Sequence, residues 1–123
     1  SNLQIEELKQ YRMELEQLMK GEKMYLNPEL TTQDLAKELN ISAKMLSQVI
    51  NQSFKRNFFD FVNGYRCEEV KEILQVHDKK ITILEAMYQS GFNSKSSFNK
   101  EFKKLTNQTP SEYKRSLPKI NEN

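Results

Sequence analysis

One pattern of helix caps and apolar positions occurs twice along this 123-residue chain. Thr31 is followed three residues later by Asp34, which is the spacing of a capping box at the start of a helix. The same box returns 51 residues later as Thr82 and Glu85. The other corresponding pairs are Ile41 with Phe92 at this offset, and Leu46 with Phe98, Ile50 with Phe102, Asn57 with Thr109 and Asp60 with Glu112 at an offset of 52. The pattern predicts two like units, with one extra residue in the turn of the second.

The first copy predicts two short helices joined by a tight turn. Thr31 begins the first helix, Asn40-Ile41 makes the turn, and Ser42 begins the second helix. The inner stripe of this second helix is apolar and consists of Leu46, Val49 and Ile50. Its outer face is polar and consists of Lys44, Ser47, Gln48, Asn51 and Lys55. This is the helix-turn-helix pattern, in which the second helix can lie in the major groove of DNA.

The second copy contains the sequence GFNSKSSFNKEFKKL at residues 91–105. Gly91 marks a tight turn, and the helix after it has one apolar stripe, formed by Phe98, Phe102 and Leu105. At about 100° per residue, the side chains that point away from this stripe or flank its opposite side are Ser96, Asn99, Lys100, Lys103 and Lys104. Lys95 falls nearer to the buried side. Phosphates suit the lysines, whereas base edges suit Asn, Ser and Lys.

The whole chain is predicted to be all-α, with two helix-turn-helix units joined by a long linker helix. Only 3 Gly and 3 Pro occur, which favours helices over a turn-rich β fold. The linker helix is expected to begin at Asn57 and to reach about Leu74, with His77 in a polar loop after it. The predicted segments are a connector helix and turn (1–30), the first helix-turn-helix (31–56), the linker helix (57–76), the second helix-turn-helix with a C-terminal helix (77–119), and a tail (120–123).

The N-terminal segment predicts a helix over residues 3–20. Its apolar positions follow a 3-4-3 spacing, formed by Leu8, Tyr11, Leu15 and Leu18. We interpret this stripe as packing on the core of the domain, with a dimer contact as the alternative. The chain starts with Ser1-Asn2 and has no Met there, which favours a segment of a larger protein.

Charge is distributed unevenly between the two parts of the chain. Residues 1–41 carry 5 basic and 8 acidic residues, whereas residues 42–123 carry 14 basic and 9 acidic ones. The basic excess lies mainly between Lys95 and Lys119, with 7 Lys and Arg against 2 Glu. A polyanion would therefore bind to the C-terminal part, although a solvated lysine face gives the same count.

Little in the sequence favours an enzyme. Cys67 is the only cysteine and His77 the only histidine, so the chain alone cannot form a disulfide or a Cys/His zinc site. We find no phosphate-binding glycine loop and no Ser-His-Asp set. We therefore expect no enzyme activity and no cofactor. The main alternative to DNA binding is a helical protein-interaction module whose polar faces are merely solvated.

Over residues 31–116 the sequence resembles the DNA-binding domain of AraC/XylS-type transcription regulators. The matching residues are Asp34-Leu35-Ala36, Leu46-Ser47, Tyr65-Arg66, Gly91-Phe92, Ser97-Phe98, Phe102-Lys103-Lys104 and Thr109-Pro110-Ser111-Glu112-Tyr113. The resemblance implies that the two recognition helices enter successive major-groove segments on one face of the duplex. By position, it assigns DNA contacts to Lys44, Ser47 and Gln48 in the first helix, and to Lys95, Ser96, Ser97, Asn99 and Lys100 in the second. Lys100 stands where the family often has Arg, which reads guanine better.

The resemblance also implies the partners. We expect sequence-specific binding to double-stranded DNA in the bacterial cytoplasm, with RNA polymerase as a further partner. Asn51, Lys103 and Lys104 complete the set of expected DNA contacts. Family members usually carry a separate sensory or membrane part, which we expect outside these 123 residues. Because one chain has two recognition helices, this segment is expected to act as a monomer.

Overall fold

The computed structural model describes residues 4–77 and 80–118, and this part of the chain is entirely helical apart from its turns and loops. Its α-helices are α1 (Ile5–Lys20), α2 (Thr32–Leu39), α3 (Ala43–Phe54), α4 (Phe58–His77), α5 (Ile83–Gln89), α6 (Lys95–Thr106) and α7 (Pro110–Ser116). A short 3₁₀ helix covers Met24–Leu26. The all-α prediction is confirmed. The expectations for Ser1-Asn2 and for the tail at 120–123 lie outside the described residues.

The chain divides into two compact units, Ser1–Val62 and Asn63–Asn123, and the division falls within α4. In the first unit, α1, α2 and α3 pack on one another. The buried side chains of these helices are Leu15, Leu18 and Met19 from α1, Leu35, Ala36 and Leu39 from α2, and Leu46, Val49 and Ile50 from α3. The prediction that the N-terminal helix packs on the core is confirmed. For the alternative dimer contact, Leu15 and Leu18 are not available, because both are already buried within the unit.

The second unit has its own apolar core. Its buried members are Cys67, Val70, Leu74, Ile81, Ala86, Met87, Phe92, Phe98, Phe102 and Tyr113. The helices α5 and α7 both pack on α6. Cys67 lies in α4 and is buried.

The predicted caps are present in both units. The Thr31 hydroxyl accepts from the Asp34 N–H at 3.2 Å, and the Asp34 carboxylate accepts from the Thr31 N–H at 2.9 Å. Equivalent boxes join Thr82 with Glu85 and Thr109 with Glu112. Each box satisfies two of the N–H groups that the first turn of a helix leaves unpaired. The starts of α2, α5 and α7 therefore follow from local chemistry, as predicted.

Backbone geometry repeats along with the caps. The turn after α2 contains Asn40 at φ 57°, and the turn after α5 contains Gly91 at φ 98°, 51 residues later. The hydroxyls that cap α3 and α6 belong to Ser42 and Ser94, at an offset of 52. The predicted extra residue is therefore Asn93, which lies immediately before the Ser94 cap.

The helices α3 and α6 end in the same left-handed conformation, with different residues. Lys55 closes α3 at φ 56°, and Asn107 closes α6 at φ 63°. A left-handed conformation costs an ordinary residue about 1–2 kcal/mol, whereas Asn adopts it more readily. We expect Lys55→Asn to raise the free energy of unfolding by about 1 kcal/mol, measured by urea denaturation without DNA. The reciprocal Asn107→Lys should lower it by a similar amount, and two unchanged stabilities would contradict this account.

One helix end differs from the prediction. The linker helix was expected to end near Leu74, with His77 in a loop, but α4 continues to His77. Residues 75–77 include no Gly or Pro, so nothing in their local chemistry stops the helix. The expected loop position for His77 is therefore wrong, and the rest of that loop, at 78–79, lies outside the described residues.

Candidate nucleic-acid interface

The helix α3 presents a polar face supported by a buried stripe. Leu46, Val49 and Ile50 are fully buried, which fixes the rotation of the helix about its axis. The predicted contacts Lys44, Ser47 and Asn51 are exposed, and Gln48 is half-buried. The structure therefore brings this predicted set together on one side of α3.

The helix α6 has the same organisation. Phe98 and Phe102 are buried, and the predicted contacts that are exposed are Lys95, Ser96, Asn99, Lys100, Lys103 and Lys104. Ser97 is half-buried, and its N–H donates to the Ser94 hydroxyl at 3.4 Å. The expectation that Lys95 lies nearer to the buried side is wrong, because it is the first residue of the helix and is exposed.

Aromatic packing holds the inner face of α6. The ring centroids of Phe92 and Phe98 lie 5.0 Å apart, and those of Phe98 and Phe102 lie 5.7 Å apart. Phe102 in turn meets Tyr113 of α7 edge-on at 6.0 Å. Such pairs contribute about 0.5–1.5 kcal/mol each beyond the burial of their area. The polar face of α6 is therefore displayed by a rigid support.

Arg66 adds a cation to this support. Its guanidinium lies 6.0 Å from the centroid of Phe92 and donates to the Asn63 side-chain oxygen at 3.0 Å. Burial lowers the pKa of Arg66 from its ordinary value. Phe92 is in the turn that leads into α6, so Arg66 helps to fix the start of α6.

The lysines of α6 fall into two groups. Lys103 lies 3.8 Å from the Glu112 carboxylate and donates to the Asn107 carbonyl at 3.4 Å, and Lys104 lies 3.9 Å from the Glu101 carboxylate. Among the described residues, Lys95 and Lys100 have no ion-pair partner. The first half of α6 therefore offers its positive charge to a polyanion at lower cost than the second half does.

The sequence did not predict the pairing of Glu112 with Lys103 or the burial of Glu101. The pKa of Glu112 is lowered mainly by hydrogen bonds from Thr109 and to a smaller extent by Lys103, which shows that this carboxylate belongs to both the cap and the lysine face. Glu101 is buried, with only 4 % of its surface exposed. It lies about 60° around the helix from Phe98, and this closeness to the apolar stripe could have signalled its burial.

The described residues give no sign of other chemistry. No group of three or more His, Cys, Asp or Glu side chains among them is arranged to hold a metal ion. None of the described helices combines the length and apolar composition needed to cross a bilayer.

The comparisons with known proteins agree with this geometry. The profile of a helix-turn-helix domain family matches residues 35–116. An uncharacterized HTH-type transcriptional regulator of Staphylococcus aureus strain COL is 33% identical over 100 residues, which are 81% of this chain and 13% of the relative. The chain thus spans about an eighth of that relative.

Solved structures share the fold. The C-terminal domain of AraT, a response regulator from Geobacillus stearothermophilus, superposes with a TM-score of 0.74 at 23% identity, covering 100% of this chain and 95% of that one. A transcriptional regulator with an AraC-type DNA-binding domain from Chromobacterium violaceum gives a TM-score of 0.67 at 20% identity, covering 88% and 99%. The family matched by sequence is one of transcription regulators, which are generally not enzymes. The chain belongs to the AraC-type helix-turn-helix family of DNA-binding transcription regulators.

Proposed function

We propose that this domain recognises a specific double-stranded DNA site by placing α3 and α6 in successive major-groove segments. The observation that supports the proposal most strongly is the matched construction of these two helices. Each has a serine cap, a buried apolar stripe, a left-handed end and an exposed polar face. A helix that is held from one side and polar on the other meets the requirements for reading base edges.

Base reading is assigned to the amides and hydroxyls. Gln48 on α3 and Asn99 on α6 can each form two hydrogen bonds with adenine, and Ser47 and Ser96 can bond to several bases. Lys44, Lys95 and Lys100 are exposed cations that suit phosphates or guanine. Asn51, Ser97, Lys103 and Lys104 complete the proposed interface. The two helices carry different side chains, so the two halves of the site should differ in sequence.

Selection of bound duplexes from a random DNA pool tests this function directly. The expected result is one enriched motif made of two unlike boxes. Enrichment of no motif, together with undetectable binding of any duplex, would favour the alternative of a protein-interaction module.

Gln48→Ala and Asn99→Ala are expected to change which bases are preferred. Each lost amide should cost about 1–3 kcal/mol of discrimination at the base it reads, while other positions of the site keep their preferences. The measurement is a binding competition between the selected duplex and duplexes changed at single positions. Gln17→Ala, at an exposed position of α1, is the matched control and should leave all preferences unchanged. If Gln48→Ala gave the same preferences as the wild type, its assigned role would be wrong.

The proposed function also implies where the domain acts and which partners it meets. Binding to chromosomal DNA requires the cytoplasm, and RNA polymerase is the partner that a regulator at such a site would meet. One chain supplies both recognition helices, so this segment is proposed to bind as a monomer. As the family resemblance implies, we assign signal sensing to a region outside these 123 residues.

A further inference from the structure

A buried carboxylate lies on the recognition helix α6. Glu101 stands between Phe98 and Phe102 in the sequence, and 4 % of its surface is exposed. Its Oε2 atom is buried and has no hydrogen-bond partner. Removing a carboxylate from water costs several kcal/mol unless a cation or hydrogen bonds compensate it. Glu101 is therefore expected to interact strongly with any nearby positive charge.

Lys104 supplies a positive charge beside it. Its Nζ atom lies 3.9 Å from Glu101 Oε2, one helical turn along α6. This separation is longer than a hydrogen bond, in agreement with the unpartnered oxygen, and it is short enough for a direct ion pair. The Lys104 side chain is 52% exposed, so its ammonium also remains accessible to solvent. It lies about 40° around the helix from Lys100, on the same side as the proposed DNA face.

We propose that Glu101 is a positioning residue that holds the Lys104 ammonium on the protein and so limits the sequence-independent attachment of α6 to phosphates. The inference rests on the proposed function of α6. A phosphate can pair with the Lys104 ammonium only if the ammonium leaves the Glu101 carboxylate. Because this carboxylate is buried, water screens its charge poorly. Lys100 has no such partner among the described residues and is available to a phosphate from the outset.

The consequence concerns the overall affinity for DNA. Phosphate contacts strengthen binding to every sequence, whereas base contacts strengthen binding to the chosen site only. By restraining one lysine, Glu101 lowers affinity for DNA of any sequence and leaves the base-reading side chains untouched. Because specific and non-specific affinity fall by the same factor, their ratio is unchanged, and Glu101 sets how tightly the domain binds DNA as a whole.

The test measures binding of a short duplex that lacks the selected site, as a function of salt. In Glu101→Gln, which keeps the size of the side chain but not its charge, the slope of log K against log salt should steepen by about 0.9, the value of one added phosphate contact. If Glu101→Gln and the wild type bind equally at 1 M salt, this steeper slope makes the variant bind roughly tenfold more tightly near 50 mM. In the double variant Glu101→Gln, Lys104→Gln, the slope should return to that of the wild type.

Two single variants serve as controls. Glu72→Gln removes an exposed carboxylate from the same unit and should leave the slope unchanged. Lys104→Gln alone should change the slope by much less than Lys100→Gln does, and this comparison remains informative even if Glu101→Gln fails to fold. Thermal unfolding checks that each variant is folded.

Three results would overturn the proposal. They are an unchanged slope in folded Glu101→Gln, a gain that persists in the double variant, and equal effects of Lys104→Gln and Lys100→Gln. If Lys100→Gln reduces the magnitude of the slope and one of these three results is also found, the inference about Glu101 fails and the proposed function stands. If the wild type shows no salt-dependent binding to any duplex, both fail together.

Discussion

Raising the salt concentration from about 50 to 200 mM is expected to weaken binding to duplex DNA by roughly 250- to 1,000-fold. The net charge of residues 42–123 is +5, and its exposed lysines include four on α6. If about 5 phosphates are neutralised, the release of counterions gives a slope of log K against log salt of about −4 to −5. Fluorescence anisotropy of a labelled duplex at four or more salt concentrations measures this slope.

Two lysine variants show whether the charge acts at the proposed interface. Lys100→Gln should reduce the magnitude of the slope by about 0.9, because one phosphate contact is lost. Lys9→Gln makes the same change of charge on α1, in the acidic part of the chain, and should leave the slope unchanged. A flat response of the wild type to salt would refute DNA binding. Equal effects of the two variants would show that net charge alone drives association.

The helix starts were predictable because their causes are local. A threonine with an acidic residue three positions later closes a capping box without help from the rest of the fold, and this holds at Thr31, Thr82 and Thr109. The end of α4 was not predictable in this way, since no breaker stands between Leu74 and His77. Lys55 likewise gives no sequence signal for its left-handed backbone, which the structure itself shows.

The candidate interface was predictable as a face but not as a set of interactions. Helical periodicity alone puts Asn99 and Lys100 on the outside and Phe98 on the inside, as the structure has them. The pairing of Lys103 with Glu112 depends on how α7 packs on α6, which no local pattern encodes. The rotation that buries Glu101 is set by the aromatic core around Phe102. The roles of Asn99, Lys100 and Lys103 in DNA contact remain predictions.

Inserting about 5 base pairs between the two boxes of the selected site is expected to weaken specific binding by about 100-fold or more. Helices that read successive major grooves on one face of a duplex need boxes about 10 base pairs apart, so half a turn of insertion moves one box to the opposite face. One recognition helix then loses its site. Linking two binding modules raises affinity by about 10²–10⁴ over either alone, and this gain is what the insertion removes.

An insertion of about 10 base pairs is the matched control for this experiment. It returns both boxes to the same face of the duplex but increases the distance between them. A single chain should therefore regain little of the lost affinity, whereas two chains bound independently would keep their affinity. The stoichiometry of the complex, measured by light scattering with the unmodified site, should be one chain per duplex. Because α3 and α6 carry different polar faces, a palindromic site bound only by two chains would contradict the assignment of both helices to one site. In that case each chain would use one recognition helix, and the sequence repeat would reflect a shared fold without shared use.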